Sequence, residues 1–489
     1  MAVRSGREFI ARLKASPRDI WVQGQRVQDV TEFAPFNGPV QALAKLYDMQ
    51  VDPALQDQLT YVVAETGERA GLAFKPAHSI DDLKRRRNAY RLWAESNFGL
   101  MGRSPDFLNV TLLAFHEQRD AFAEAGRHFG ENIASYYRYV RDNDLFLSHA
   151  LISPQNDRSK TSAELANLHL RVVKETDGGI VVSGARMIAT LGPISDEMIM
   201  YNLPGFKPGD EDHAIMFAVP TDVKGLRQIC REPYTTHAAA SFDHPLSTRF
   251  EENDSLLIFD NVFVPWERVF CYRNVALSNR LYTQSALRNY TAHQTNTRAL
   301  VKMQLAVGLA LAVARSIKAD QFLHVQQMLG ECLNYVEEIK SALVRSEVEA
   351  EPTPSGTLRP LLAPLQALRT RLPTTYPRVI EVLQTIGAGG YMLMPTGADF
   401  ATPEIAENMQ RYYQGAGVAS LDRVRLFKLA WDLAGEGFGS RLLQYERYYA
   451  GDPVRNLAMN YTGANDTDPM RLVKAALDLA GDPVASPGL

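Results

Sequence analysis

The sequence predicts an α+β fold in which two helical regions flank a central antiparallel β region. Apolar residues recur at helical spacing from the start to about residue 147, at every second position from about residue 150 to 272, and at helical spacing again from about residue 279. These changes of period divide the chain into predicted domains at residues 1–148, 149–275 and 276–489. A chain of 489 residues is long enough for several domains and a large buried core.

The first region carries a cap signal ahead of its helical pattern. Ser79 followed by Asp82 resembles a capping box with Asp in place of Glu, and Leu83, Tyr90 and Ala94 then fall on one helical face. A second amphipathic stretch runs from about residue 109 to 143. Both stretches predict helices that have one solvated face.

In the central region, turn residues separate short apolar runs. Asp177-Gly178-Gly179 lies between two such runs and predicts a hairpin. Further runs at Met198–Tyr201, Ala214–Val219 and Leu256–Phe259 predict more strands. Short strands at this spacing are typical of a small antiparallel sandwich or barrel.

The last region returns to helical spacing. Leu281–Glu349 predicts two long helices with a break near Lys318-Ala319-Asp320. A proline-rich loop from Pro352 to Pro364 follows, and helices resume around Tyr376–Gln384 and Val424–Tyr449. The remaining C-terminal segment predicts a peripheral helix and a tail.

Charge and composition exclude several classes of function. The formal net charge of −4 argues against an electrostatic nucleic-acid binder. The three cysteines are too far apart for a disulfide framework or a zinc knuckle, which indicates a reducing, cytoplasmic setting. The N-terminus has no apolar signal segment, and the longest nearly apolar run, Leu305–Ala314, is too short to span a bilayer. We therefore expect a cytoplasmic protein with neither nucleic-acid nor membrane partners.

Common catalytic motifs are missing from the sequence. Gly387-Ala388-Gly389-Gly390 follows a helical run rather than a strand, so it is not a dinucleotide-binding fingerprint. A Walker A loop, a Gly-x-Ser-x-Gly elbow and a His-Glu-x-x-His motif are also absent. The ten histidines show no pairing at i, i+4, so no metal site is predicted.

A few local groups of polar residues are more informative. Arg103 stands beside a turn and an aromatic residue, although it would also fit a helix cap paired with Asp106. The loop from Ser148 to Arg158 concentrates His, Gln and Arg donors that can converge on a planar ligand, although a lone His is more often structural. Thr190 offers a hydroxyl at a predicted strand end. His293 lies near the start of a bundle helix and is a candidate catalytic residue. The alternative is a buried structural histidine bonded to a backbone carbonyl.

Five segments in combination resemble one enzyme family. They are Gly99–Asp106, His149–Arg158, Phe259–Glu267, Val424–Asp432 and Gln444–Pro453. Together they resemble the oxygenase component of two-component, reduced-flavin-dependent monooxygenases, the 4-hydroxyphenylacetate 3-monooxygenase family, which includes chlorophenol monooxygenases. The resemblance covers nearly the whole chain. It implies an acyl-CoA dehydrogenase-like fold with an N-terminal helical domain, a central β domain and a C-terminal four-helix bundle, assembled as a homotetramer.

The resemblance also implies a reaction. FADH2, supplied by a separate NAD(P)H:flavin reductase and favoured over FMN, would react with O2 to give a C4a-hydroperoxide that hydroxylates a small aromatic substrate. The implied flavin contacts are His149, Gln155, Asn156, Asp157, Arg158, Thr190, Gln384, Arg447, Tyr449, Ala450, Gly451 and Asp452. The implied substrate contacts are Arg103, Phe107, His149, Asn202 and Leu203. Arg103 and His149 would favour the phenolate, and His293 is a candidate base near the substrate hydroxyl.

One departure bears on the substrate. The hydroxyphenylacetate enzymes carry Tyr at the position of Phe107, so this chain lacks a hydrogen bond of about 0.5–1.5 kcal/mol to the substrate oxygen. We therefore expect a substrate other than 4-hydroxyphenylacetate. Two alternatives share the fold: a 4-hydroxybutyryl-CoA dehydratase-like enzyme, disfavoured because the cysteines cannot readily hold an iron–sulfur cluster, and a non-catalytic scaffold.

Overall fold

Most of the N-terminal part of the chain is helical. The computed structural model describes residues 3–157, 159–235, 240–284 and 286–479. The first elements are α1 (Gly6–Ala15), β1 (Asp19–Val22), β2 (Gln25–Val27), α2 (Ala34–Val51), α3 (Gln56–Leu59), β3 (Thr60–Val62), β4 (Arg69–Gly71), α4 (Ile80–Ser96), α5 (Pro105–Glu117), α6 (Arg119–Ala123) and α7 (Arg127–Asp142). The stretch expected at about residues 109–143 is therefore divided into three helices.

The predicted cap of α4 is present. The Ser79 side chain accepts a hydrogen bond from the Asp82 amide at 3.1 Å. Asp82 reaches back one residue further than expected and accepts from the His78 amide at 3.0 Å. Leu83, Tyr90 and Ala94 are buried, so the predicted apolar face is confirmed.

The central part of the chain is mainly strands. They are β5 (Leu147–His149), β6 (Arg171–Thr176), β7 (Gly179–Thr190), β8 (Glu197–Met200), β9 (Met216–Pro220), β10 (Leu226–Cys230), β11 (Asp254–Pro265) and β12 (Val269–Cys271), with the short helix α8 (Ser247–Phe250) before β11. The predicted hairpin joins β6 to β7, with Thr176 opposite Gly179. The strands expected near residues 198, 214 and 256 correspond to β8, β9 and β11.

The strands form two principal sheets within the described residues. One has the order β2-β1-β10-β11-β7-β6, and the other has the order β12-β9-β8-β5. The pairs β1–β10 and β5–β8 are parallel, and the other pairs are antiparallel. The N-terminal hairpin β1–β2 thus belongs to the central sheet, which the helical periodicity of the first region did not predict.

The C-terminal part of the chain is a helical bundle with peripheral helices. Its elements are α9 (Val275–Gln284), α10 (Leu287–Ser316), α11 (Leu323–Val348), β13 (Glu351–Pro352), β14 (Leu358–Arg359), α12 (Leu362–Gly387), α13 (Gly397–Ala401), α14 (Pro403–Tyr412), α15 (Ser420–Ala434), α16 (Gly437–Tyr448), α17 (Pro453–Thr462) and α18 (Thr467–Asp478). The predicted break lies between α10 and α11, where Lys318 has a φ of 58°. The predicted peripheral C-terminal helix is α18, which is exposed along its length.

Helix α10 lies at the centre of the bundle. Among the described residues, it is the one helix long and apolar enough to cross a membrane by length and composition. However, 72% of its apolar window is buried inside the protein, as in the core helix of a bundle. The helix packs against α4, α5, α11, α12 and α15, so it connects the N-terminal helices to the bundle.

Candidate active site

Arg103 is the centre of a polar group where α5 begins. Its Nε donates a hydrogen bond to Nε2 of His149 at 3.2 Å, and the Phe107 ring centroid lies 4.3 Å from its guanidinium carbon. The structure thus brings together Arg103, Phe107 and His149, as the sequence predicted. The alternative pairing with Asp106 is not formed, because that carboxylate accepts from Ser104 Oγ at 2.6 Å and from Gln294 at 3.1 Å.

The contacts of His149 determine its tautomer. Guanidinium nitrogens only donate, so Nε2 of His149 must accept the hydrogen bond from Arg103. The other ring nitrogen, Nδ1, lies 3.0 Å from the hydroxyl of Tyr201. Burial, and then the charge of Arg103, hold the pKa of His149 well below its usual range. His149 is therefore a neutral imidazole whose proton sits on Nδ1 and is donated to Tyr201.

Aromatic rings enclose this imidazole. The ring centroids of Phe107 and Tyr201 each lie 5.5 Å from that of His149. Phe115 packs against Tyr201 edge-on at 5.4 Å, and both rings are buried. Because these walls exclude water, the charge of Arg103 acts in a medium of low dielectric constant.

Buried Glu252 and half-buried Asp254 connect Arg103 to Arg441 and Thr190. Glu252 accepts from the Arg103 backbone amide at 2.7 Å and from the Arg441 guanidinium at 2.8 Å. Asp254 accepts from Arg441 at 2.9 Å and from the hydroxyl of Thr190 at 2.7 Å. Burial raises the pKa of Asp254, but the charge and hydrogen bonds of Arg441 outweigh it and lower that pKa to about 2. The Thr190 hydroxyl thus donates to an ionised carboxylate and keeps its lone pairs free to accept.

Tyr445 of α16 completes the group. Its hydroxyl accepts a hydrogen bond from the Arg103 guanidinium, and its ring stacks on Tyr449 at a centroid distance of 5.5 Å. Gly102 permits this contact, because a Cβ at that position would lie 2.1 Å from the Tyr445 hydroxyl oxygen. The next residue, Glu446, forms buried ion pairs with Arg298 at 2.8 Å and Lys302 at 3.1 Å. These pairs fix α16 against α10, so the position of Tyr445 depends on the bundle.

His293 lies in a different group of side chains. Its Nε2 contacts Glu347 at 2.9 Å, and Arg87 forms an ion pair with the same carboxylate at 2.6 Å. The Tyr90 ring lies edge-on to the imidazole at 6.0 Å. This arrangement joins α10, α11 and α4 and fits the structural alternative, except that the partner is a carboxylate rather than a backbone carbonyl.

Several other predicted site residues have local partners. Gln384 is exposed and donates its amide to the Ala434 carbonyl at 2.7 Å, and Arg447 is exposed. Asn202 is buried, accepts from Arg186 at 2.7 Å and donates to the Ile215 carbonyl at 2.9 Å. Its neighbour Leu203 is half-buried.

The two loops predicted to contact flavin differ in exposure. Gln155, Asn156 and Asp157 are exposed, and Arg158 lies outside the described residues. In the segment 449–452, the described residues mostly form hydrogen bonds, a turn and a helix cap within the protein. The Ala450 carbonyl accepts from Arg369 at 2.5 Å, Gly451 has a φ of 94°, and Asp452 caps α17 by accepting from the Val454 amide at 2.8 Å.

Sequence reasoning missed Tyr201, Glu252, Arg441 and Tyr445. For α16, the signal was available in the run Gln444–Pro453. Helical spacing puts residues 441, 445 and 449 on one face and residue 447 on the other. Tyr445 is therefore the residue of this run that reaches Arg103, whereas Arg447 points away.

Comparisons with known proteins show the family of this chain. The family model described as 4-hydroxyphenylacetate 3-hydroxylase N terminal matches residues 5–271, and the model described as 4-hydroxyphenylacetate 3-hydroxylase C terminal matches residues 278–478. The chain belongs to the 4-hydroxyphenylacetate 3-hydroxylase family. The resemblance seen in the sequence is thereby confirmed.

Individual relatives of this family extend the match. The 4-hydroxyphenylacetate 3-monooxygenase oxygenase component of Thermus thermophilus is 41% identical, over 97% of each chain. The oxygenase component of 4-nitrophenol 2-monooxygenase from a Rhodococcus species is 33% identical, over 92% of this chain and 86% of that protein.

Solved structures confirm the fold. The crystal structure of the oxygenase component (HpaB) of 4-hydroxyphenylacetate 3-monooxygenase complexed with FAD and 4-hydroxyphenylacetate superposes with a TM-score of 0.93 at 40% identity, covering 98% of this chain and 99% of that chain. An archaeal 4-hydroxybutyryl-CoA dehydratase from N. maritimus has a TM-score of 0.87 at 20% identity, covering 99% of this chain and 97% of that chain, a likeness of fold alone. The predicted acyl-CoA dehydrogenase-like fold is therefore confirmed.

Proposed function

We propose that this chain is the oxygenase component of a two-component flavin monooxygenase that uses reduced FAD and O2 to hydroxylate a small phenol. The observation that carries the proposal is the pair of half-buried Arg103 and buried, neutral His149 beside aromatic rings. A cation beside an imidazole acceptor is the arrangement that binds a phenol and favours its ionised form. The names of the relatives support the same chemistry.

The residues present fit a flavin. The hydroxyl of Tyr449, Nε of Arg369 and two guanidinium nitrogens of Arg298 are buried without a hydrogen-bond partner in the described structure. Such groups are costly unless a ligand or water satisfies them. Thr190, the loop at residues 155–158 and the segment 449–452 would hold the flavin. Reduced FAD, when bound, supplies the oxygen chemistry.

The chain's own groups orient and ionise the substrate. A phenol beside Arg103 can accept a hydrogen bond from the guanidinium, whose positive charge favours the phenolate. The Nε2 of His149 accepts from Arg103 and its Nδ1–H donates to Tyr201, so the imidazole holds the guanidinium in place. The phenolate is richer in electrons at the ring carbons to be hydroxylated, and the aromatic walls keep water from the reacting atoms.

Phe107 shapes the choice among phenols. Its ring packs against the His149 imidazole and the Arg103 guanidinium, and it offers no hydrogen bond. We propose that the preferred substrate is a phenol that tolerates an apolar contact there, ahead of 4-hydroxyphenylacetate. The names of the relatives include both 4-hydroxyphenylacetate and 4-nitrophenol enzymes, so both compounds belong in the test.

Turnover with reduced FAD, oxygen and a panel of 4-hydroxyphenylacetate, 4-nitrophenol and 4-chlorophenol tests the proposal. We expect hydroxylated product from at least one phenol, with less hydrogen peroxide than in the reaction without substrate, and tighter binding of reduced FAD than of reduced FMN. Failure to bind reduced flavin, or peroxide alone with every phenol, would contradict it. Replacing Phe107→Tyr should shift the preference toward 4-hydroxyphenylacetate.

Assembly and location are part of the proposal. A separate NAD(P)H:flavin reductase would supply the cofactor, and the homotetramer and the cytoplasmic location remain predictions. The dehydratase alternative gains nothing from the structure, because the buried cysteines at positions 230, 271 and 332 lie in β10, β12 and α11, respectively. The scaffold alternative predicts no reduced-flavin binding, which the same assay measures.

A further inference from the structure

Three side chains with metal-binding atoms converge away from Arg103. His244 comes from the segment before α8, Asp432 from the last turn of α15, and Glu436 from the residue that precedes α16. One ligand atom from each of the three lies within 4.8 Å of the others. We refer to these three residues as the His244 cluster.

Asp432 is the buried member of the cluster, and only one of its two carboxylate oxygens has a hydrogen-bond partner. Its Oδ2 accepts from the backbone amides of Leu246 at 2.7 Å and Ser247 at 2.9 Å. Its Oδ1 is buried and has no hydrogen-bond partner, while the residue is only 1% exposed. A buried, unpaired carboxylate oxygen costs free energy unless a proton or a cation satisfies it.

The surroundings supply no other cation to this carboxylate. Among the described residues, no lysine or arginine forms an ion pair with Asp432 or Glu436. Lys428, one helical turn before Asp432, is instead paired with Asp243 at 3.1 Å. Within the His244 cluster, Glu436 pairs with His244 at 2.9 Å, which leaves the buried Oδ1 of Asp432 without a partner.

We propose that the His244 cluster binds one divalent transition-metal ion, with Zn²⁺ or Mn²⁺ as the fitting class. One imidazole nitrogen and two carboxylate oxygens suit these ions better than Mg²⁺, which prefers oxygen ligands and retains its waters. The 2.9 Å separation of His244 Nδ1 and Glu436 Oε2 is short enough for both atoms to bind one ion. The side chains of His244 and Glu436 are 31% and 34% exposed, so an ion can enter and water can complete its coordination.

The sequence did not predict this cluster because only the fold brings its histidine close to its two carboxylates. Asp432 and Glu436 are four residues apart, but His244 belongs to the segment that leads into β11. An ion here would join that segment to the start of α16. Glu252 follows His244 along the chain, and Tyr445 lies on α16; both contact Arg103. The ion would therefore clamp the two supports of Arg103 without touching the substrate.

Metal titration of the purified full-length chain tests the proposal. After removal of metal with a chelator, Zn²⁺ is titrated against a chromophoric competitor, and Mn²⁺ binding is followed by electron paramagnetic resonance. We expect one tight equivalent per chain. His244→Ala and Glu436→Gln should each weaken binding by more than about 100-fold, since even outer-shell partners contribute about 10- to 100-fold. Both side chains are partly exposed, so these variants should fold.

Glu331→Gln is the matched control. This bundle carboxylate is paired with Arg378 at 3.0 Å and is absent from the His244 cluster, so its replacement should leave metal binding unchanged. Zn²⁺ should also raise the melting temperature of the wild-type chain and the control but not of the two cluster variants. The proposal is overturned if the wild-type chain binds no stoichiometric ion, or if the cluster variants bind it as tightly as the control does.

Discussion

His149 and His293 are both buried histidines beside a charged side chain, and the sequence suggested a catalytic role for each. The partner of His149 is the cation Arg103, whereas the partner of His293 is the carboxylate Glu347. A cation forces the facing nitrogen to accept and keeps the ring neutral; a carboxylate makes the facing nitrogen donate and anchors it. The sign of the neighbouring charge therefore separates a neutral histidine that positions a cation from one that joins helices through a carboxylate.

Among substitutions around His149, Arg103→Ala should cause the largest loss of coupled hydroxylation. Removing the guanidinium removes the charge that holds a phenolate, so coupled hydroxylation should fall by about 100-fold, or about 3 kcal/mol. Reduced-FAD binding should change by less than about threefold, and rapid-reaction kinetics with separate flavin titration measure both. Arg138→Ala, an exposed arginine of α7, is the control. Equal losses in both assays would contradict the substrate role of Arg103.

Glu347→Gln tests the structural role of His293. The variant leaves Arg87 and His293 without their ionised partner, so the free energy of unfolding should fall by about 2 kcal/mol. Urea denaturation measures this loss. The pH dependence of hydroxylation should stay that of the wild-type chain, and a changed pH profile would instead place His293 in the reaction.

Tyr201→Phe sharpens the role of His149. Loss of the hydroxyl that accepts from Nδ1 removes a hydrogen bond of about 1 kcal/mol that orients the imidazole toward Arg103, so hydroxylation should fall by roughly fivefold. Bound 4-nitrophenol should also show a smaller fraction of phenolate in its absorption spectrum. Tyr136→Phe, which removes a buried hydroxyl bonded to Glu197, should alter stability without changing that fraction.

Both histidines should make the free energy of unfolding decrease as the pH falls. Burial lowers the pKa of each in the folded state, so below the unfolded value of about 6.5 the unfolded chain binds more protons. Stability is therefore fully present above that value and declines as the pH falls. Between pH 7.5 and 5.5, each histidine should account for a loss of up to about 1 kcal/mol. His149→Asn and His293→Asn should each reduce this slope, as urea midpoints at several pH values would show.

The sequence predicted the order of the regions because periodicity reports which face of an element is buried. It therefore located the β6–β7 hairpin and the break between α10 and α11. It failed for β1 and β2, two short strands that are recognised only because β2 pairs with β1 and β1 pairs with β10.

For the candidate site, local motifs located Arg103, Phe107, His149 and Thr190. They could not show that Glu252, Arg441 and Tyr445 support Arg103, since those contacts join distant segments. The contact between His293 and Glu347 also joins distant segments, and the role of His293 as a base remains a prediction. The roles assigned to the flavin loops, including Arg158, remain predictions.

The pairing of β1 with β10 has a consequence for synthesis of the chain. Asp19 lies opposite Arg227, 208 positions away, and the two side chains contact at 2.7 Å. At about 5–20 residues per second, the ribosome would need roughly 10–40 s to deliver the partner of the first strand. During that interval, β1 can pair with β2, but its other edge has no partner on the nascent chain. Protection of this edge by a chaperone, or by early docking of α1 on α2, is therefore a requirement of biogenesis rather than of catalysis.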